Sequence, residues 1–303
     1  MNQDLEVVRL SGSLGAEVRG LSLGQADSEQ ARRIESLLVE HLVLFFPDQH
    51  LTVDEHVAFG RHFGMLEGHP NLRNPFSDQA EIFELAASRG GVADEWHSDI
   101  TFQPQPSILS ILNMLKCPEI GGDTLWTNLY KAYEELSEPL RDLCDGLSAL
   151  HDASPHGKPD TMTVHPIVRV HPVTGRRSLF VNEHFTRRIV ELSHAESELL
   201  LGHLTRWVST PRFTIRRRWS KGTVAMWDNR CTQHFVLNDF EEERVIQRVT
   251  VMGDVPEAAC PPRWPPYVRG QNPGATSRHD RQLNAYLGRE AQSLESNRRD
   301  EPS

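Results

Sequence analysis

The chain has little cysteine, no long apolar run and no excess of basic charge, and each shortage removes a class of protein. Its four cysteines, Cys117, Cys144, Cys231 and Cys260, are scattered through 303 residues without a CxxC pair. That argues against a disulfide-stapled scaffold and against a zinc knuckle. No stretch of about 18 apolar residues occurs, so no membrane span is expected. The first residues, Met1 to Glu6, show neither the basic start nor the apolar stretch of a signal peptide, and a cytoplasmic location is expected. A formal charge of −10 argues against nucleic acid held by a general basic field. Anion recognition must therefore come from a few local arginines.

What is present is a mixed pattern of short strands and helices. Residues 26–42 carry Ile34, Leu37, Leu38 and His41 at helical spacing, with Asp27 or Ser28 as the cap. Val43 to Phe46 reads as a buried strand, and Thr52 to Glu55 as a capping box that opens a helix through His62. Further strands are expected at 81–85, 107–112, 124–126, 213–219, 223–227 and 244–252, with a hairpin over 165–182. Helices are expected over 129–145 and 194–208. No repeat and no linker divides residues 1–260, which read as one domain. From Pro261 to Ser303 the chain is polar and is expected to form an arm or to be partly disordered. Many short strands with helical insertions suggest a mainly β fold with flanking helices and a jelly-roll core.

The chemistry centres on Trp96-His97-Ser98-Asp99-Ile100-Thr101-Phe102, which reads as extended. In a strand, His97 and Asp99 share a face and converge. One imidazole and one carboxylate are two-thirds of the facial triad that holds non-haem Fe(II) and leaves three positions open. His194-Ala195-Glu196 has the same form but reads as a helix start with Ser193 and Glu196 as its capping box. His234, after the polar turn that follows Trp227, is a candidate third ligand if the sheet closes on itself; the alternative is a loop histidine. Arg244 and Arg248 are evenly spaced in a strand-like segment and point the same way. Two inward guanidiniums need anions to meet them. The alternative is a solvated face on which they pair with Glu241, Glu242 or Glu243.

His97-x-Asp99, His234 and an arginine ten residues later resemble the signature of the Fe(II)/2-oxoglutarate dioxygenases of the taurine dioxygenase family. Gly121-Gly122-Asp123-Thr124-Leu125-Trp126, His171-Pro172-Val173-Thr174-Gly175, Phe180-Val181-Asn182-Glu183 and Trp227-Asp228-Asn229-Arg230 extend the resemblance over about residues 5 to 255. The resemblance implies a double-stranded β-helix core with Fe(II) held by His97, Asp99 and His234. It implies 2-oxoglutarate as co-substrate with O2, its distal carboxylate meeting Arg244 and the Thr124 hydroxyl. Arg248 would face the anionic group of a small organic substrate, with His69 and Phe185 in the same pocket. Hydroxylation of the carbon beside a sulfonate would release sulfite and an aldehyde. Alkyl sulfate esters and aryloxyalkanoic acids are alternative substrates. The family is commonly dimeric or tetrameric, so a homo-oligomer is expected. Taurine-specific members carry an asparagine where this chain has Ala93 and an aromatic residue where it has Leu72, which points away from taurine itself.

Two other classes fit fewer of these features. A zinc metallohydrolase at the same three ligands gives no use for the paired arginines. A cupin-like binding protein with a vestigial site would not bind Fe(II).

Overall fold

The computed structural model describes residues 5–68, 79–90, 93–267 and 281–290. The chain begins with β1 (Glu6–Arg9), β2 (Ala16–Arg19), α1 (Ser28–His41), β3 (Val43–Phe46), α2 (Val53–Arg61), β4 (Leu66–Glu67) and β5 (Ile82–Ala86). It continues through β6 (Leu109–Lys116), β7 (Thr124–Asn128), α3 (Leu129–Glu134), α4 (Glu138–Cys144), β8 (Ser148–Ala153), β9 (Lys158–Pro166), β10 (Val168–Val170), β11 (Arg177–Leu179) and β12 (Thr186–Ile189). Then follow α5 (His194–Val208), β13 (Thr214–Arg217), β14 (Val224–Asp228), β15 (Thr232–Val236), β16 (Val245–Val251) and β17 (Glu257–Ala258).

Local sequence explains the helix starts. Asp27, Thr52 and Ser193 each accept from backbone N–H groups of the first turn, while Gln30, Glu55 and Glu196 reach back to the cap's own N–H. Each reciprocal pair satisfies donors that a helix start leaves free.

The strands form a large sheet in the order β1-β2-β3-β14-β6-β16-β4, with β5 also on β16. A smaller sheet, β13-β7-β15, faces it. Side chains alternate across the large sheet as strand geometry requires. Leu44, Phe46, Leu109, Ile111, Val224, Met226, Val249 and Val251 pack under α1 and α2, against Ile34, Leu38, Val57 and Phe59. Their neighbours Val43, Phe45, Leu112, Met114, Ala225, Trp227 and Ile246 pack against Trp126 and Ile215 of the smaller sheet. The same alternation puts Ser110 and Arg248 on this inner face. The architecture is therefore the expected jelly roll, mostly β with few helices, in which two sheets face each other without closing into a barrel. Helices α3, α4 and α5 enclose a second core with β8, β10, β11 and β12. Residues 281–290 are helical. Leu283 from this helix is fully buried against Leu150 and Val190.

His56 and His165 are buried imidazoles that bond backbone carbonyls. His56 Nε2 donates to the Ile111 carbonyl at 3.0 Å, and His165 Nε2 to the Gln103 carbonyl at 2.9 Å. Burial pushes each ring down to about 4, against 6.5 for a free histidine. Both are therefore native only as neutral rings. The stability they contribute is fully present above pH 6.5 and is lost as pH falls toward 4, roughly 3 kcal/mol per ring by the low end. Melting temperature should drop steeply over that range, and His56→Gln, which keeps a donor for Ile111, should flatten the drop. An unchanged slope in that variant would show that His56 is not a source of the acid sensitivity.

Candidate metal centre and anion sites

His97 and Asp99 do not lie together in one strand, as their alternation suggested. His97 makes a single isolated bridge to His234. Its N–H donates to the His234 carbonyl at 3.1 Å and the reverse bond is 2.8 Å. The chain then turns over residues 99–102, with Ile100 at a positive φ of 46°. The bridge seats both imidazoles and the turn swings Asp99 between them. Asp99 Oδ1 lies 3.9 Å from Nε2 of each histidine. One ligand atom from each of the three residues falls within 4.8 Å of the others, and all three residues are buried.

His234 lies on β15, where the sequence suggested only a histidine following a polar turn. Thr232-Gln233-His234 is too polar to show a strand pattern. Pairing with β7, in which His234 sits opposite Trp126, makes it one. The inward face of β7 and β15 thus presents Thr124, Trp126 and His234 to the large sheet. The His234 ring packs 4.8 Å from that of Trp227.

The electrostatics suit a divalent cation. Burial pushes the His97 ring down to about 4, with Asp99 opposing, so it is neutral near pH 7. Its Nδ1 donates to the Glu95 carbonyl at 2.8 Å, which leaves Nε2 as the unprotonated nitrogen facing the cluster. His234 is likewise held well below its ordinary value by burial. Burial alone would raise Asp99. The Arg248 guanidinium, then both imidazoles and Ser110, outweigh it and keep the carboxylate ionised. Two neutral imidazoles and one carboxylate fit Fe(II) and leave three positions free.

Arg248 Nη1 lies 2.8 Å from Asp99 Oδ1, and its Nε has no hydrogen-bond partner among the described residues. Arg244 follows a different path. It lies just before β16, whose register with β5 runs unbroken from Val245 to Val249 while the irregularity opposite Val245 and Ile246 falls on β6, so even spacing keeps both arginines on one face. Arg244 Nε donates to the Gly122 carbonyl at 3.2 Å and Nη2 to Thr124 Oγ1 at 3.4 Å. Gly122 sits at φ 70°, in a turn where Gly121 is also left-handed, φ 82°. A Cβ on Gly121 would lie 2.4 Å from the Asp239 carbonyl oxygen, so this turn demands glycine there. Arg244 is buried without a carboxylate partner among the described residues, and burial pushes it down to about 10. A buried cation in that position fits an anionic ligand rather than a structural pair. Neither arginine meets Glu241, Glu242 or Glu243.

Phe185 is buried, its ring 6.3 Å from that of His97 and 5.2 Å from that of Phe102. His69 and Leu72 lie outside the described residues. An open cavity of about 340 Å³ adjoins the cluster, with Ala93, Glu95, Pro155, His184 and Arg187 in its lining. The His184 ring is 5.4 Å from that of His97, and its Nδ1 meets Glu95 Oε2 at 2.6 Å. Sequence reading gave neither Glu95 nor His184 a place here; an acidic residue two positions before His97 was the available signal. His171, Asp228 and Cys231 form a second group at metal-ligating distance. There Asp228 is already engaged by His171 at 3.0 Å and by Arg230 at 2.6 Å, so that group is read as structural.

The family model described as "Taurine catabolism dioxygenase TauD, TfdA family" matches residues 6–250. The chain belongs to this family. It is 38% identical over 281 residues to an alkylsulfatase of Acinetobacter baylyi, covering 85% of this chain and 88% of that protein. An alpha-ketoglutarate-dependent sulfate ester dioxygenase of Pseudomonas putida is also 38% identical, over 84% of this chain and 91% of its own length. The solved structure of a taurine dioxygenase from Burkholderia xenovorans superposes with a TM-score of 0.78 at 36% identity, over 92% of this chain and 98% of that one. This TauD, TfdA family member is a 2-oxoglutarate-dependent non-haem iron dioxygenase that uses Fe(II) and O2. No helix among the described residues is long and apolar enough to cross a membrane.

Proposed function

We propose that His97, Asp99 and His234 hold the Fe(II), that Arg244 and Thr124 hold the distal carboxylate of 2-oxoglutarate, and that Arg248 holds the anionic group of an alkyl sulfur oxyanion. With iron bound, the centre supplies oxidative decarboxylation of 2-oxoglutarate to succinate and CO2, coupled to hydroxylation of a substrate C–H bond. The chain's own residues bind and orient. The buried Arg244 guanidinium offers a planar fork to a carboxylate, with the Thr124 hydroxyl beside it. Arg248 turns the anion so that the neighbouring C–H faces the metal. Phe185 walls the pocket, and His69 completes the substrate contacts. Residues 1–260 carry this catalytic unit. The working form is a cytoplasmic homo-oligomer.

The observation that carries this reading is the pair of buried guanidiniums, Arg248 on Asp99 and Arg244 on Thr124, the latter without a carboxylate among the described residues. A sulfonate substrate hydroxylated at the carbon bearing sulfur would collapse to an aldehyde and sulfite. A sulfate ester hydroxylated at the carbon bearing oxygen would collapse to an aldehyde and sulfate. The second version is favoured by Ala93, which offers no amide to a substrate amine, and by the two relatives at 38% identity. A panel of alkylsulfonates, alkyl sulfates and aryloxyalkanoic acids, assayed with Fe(II), ascorbate and 2-oxoglutarate, decides by reading succinate, sulfite and sulfate. Succinate formation that no sulfur oxyanion stimulates would overturn the substrate class. Activity that survives without 2-oxoglutarate and O2 would favour the hydrolase.

A further inference from the structure

Asp99 has two oxygens, and only one of them faces the histidines. Oδ1 lies 3.9 Å from both imidazole nitrogens. Oδ2 is taken by Ser110, whose hydroxyl donates to it at 2.6 Å. Ser110 is in turn held by Asn229, whose Nδ2 donates to Ser110 Oγ at 2.9 Å. The other end of the Asn229 amide is fixed as well. Its Oδ1 accepts from the Trp227 indole at 3.0 Å and from the Asp99 backbone N–H at 3.3 Å. Ser110, Asn229 and Trp227 are all buried.

A buried serine near the start of β6 is costly unless its hydroxyl is fully used. Here it accepts once and donates once, and the carboxylate is the recipient. The consequence is geometric. A carboxylate free to rotate about Cβ–Cγ can offer a metal both oxygens. Two-oxygen ligation would leave two open positions instead of three. Chelating 2-oxoglutarate and O2 need three between them. A hydroxyl locked onto Oδ2 keeps that oxygen out of the metal's reach, and Asn229 keeps the hydroxyl locked.

Resting on the ligand assignment above, we propose that Ser110, aimed by Asn229, is a positioning residue that presents Asp99 to the metal through Oδ1 alone. Asn229 belongs to the Trp227-Asp228-Asn229-Arg230 run, in which Asp228 serves the separate pairing with His171 and Arg230. Ser110 lies 119 residues away on β6, whereas Asn229 sits in the turn after β14, so nothing in the sequence links the two.

The test is Mn(II) affinity by titration calorimetry on the full-length chain, with the melting temperature of the metal-free protein recorded alongside. Ser110→Ala should weaken Mn(II) binding about 10- to 100-fold, the range seen when groups that orient metal ligands are removed. The control is Ser178→Ala, which deletes another buried hydroxyl, one that donates to the Arg230 carbonyl at 2.9 Å. That variant should lose as much melting temperature as Ser110→Ala, yet keep the wild-type affinity. A purely structural role for Ser110 would move both variants alike. Ser110→Ala binding Mn(II) within about twofold of wild type would overturn the proposal while leaving the ligand assignment standing. A wild-type chain that binds no Mn(II) would overturn the ligand assignment itself.

Discussion

Replacing Arg244 with Met is expected to leave the protein at least as stable as wild type while raising the KM for 2-oxoglutarate roughly a hundredfold or more. The two effects have opposite sign because the buried guanidinium has a carbonyl, a hydroxyl and the Trp219 ring beside it, and no carboxylate among the described residues. Removing a buried cation that no carboxylate meets relieves a desolvation cost, and a methionine of similar length fills the space. In the complex, the same change strands the co-substrate's carboxylate in a buried site, a loss of about 2–5 kcal/mol. Melts without co-substrate and KM values with it are the two measurements. A variant that melts well below wild type would mean that Arg244 has a structural partner. A KM within a few-fold of wild type would remove Arg244 from the co-substrate site.

Arg248→Met should behave in the reverse way. Its guanidinium is 2.8 Å from Asp99 Oδ1 and is the main influence holding that carboxylate ionised against burial. Without it, a buried carboxylate faces two neutral imidazoles. The metal-free variant should therefore lose about 3–5 kcal/mol, the usual cost of breaking a buried pair from one side. Mn(II) should restore most of that loss, because a divalent cation meets the same oxygen. Substrate binding should remain weak with metal present, while the KM for 2-oxoglutarate stays near wild type. The two arginines thus separate in a pair of assays, stability with and without Mn(II) and KM for each ligand. Equal loss of both ligands in either variant would refute the division of labour between them.

Much of this arrangement was legible in the sequence, for local reasons. The capping boxes at Asp27, Thr52 and Ser193 act within four residues, so their pattern survives any tertiary context. The unbroken apolar runs Val43–Phe46 and Val224–Trp227 mark strands buried on both faces. Capping chemistry also separated His194-Ala195-Glu196 from the HxD motif. What escaped is what tertiary pairing creates. The first three residues of β15, Thr232-Gln233-His234, are polar, so no strand pattern marks them after the turn. β8 contains His151 and Asp152, buried polar groups with partners on other elements, and shows no apolar pattern. His97 and Asp99 are joined through a bridge and a turn rather than through strand alternation. The even spacing of Arg244 and Arg248 was legible because β16 pairs with β5 without a break from Val245 to Val249, so alternation holds along it. Ser110 carried no signal at all, since a serine in a strand is ordinary until its partner is known.

Under the proposed ligand assignment, three side chains distant along the chain make one ferrous centre, and Arg244 completes the seat of the keto acid. Calorimetric titration of 2-oxoglutarate into the air-free, Mn(II)-loaded protein tests it most directly. One equivalent should bind with the metal present, and little should bind without it or in Asp99→Ala. Binding that is equally tight in metal-free protein, or undiminished in Asp99→Ala, would contradict the account.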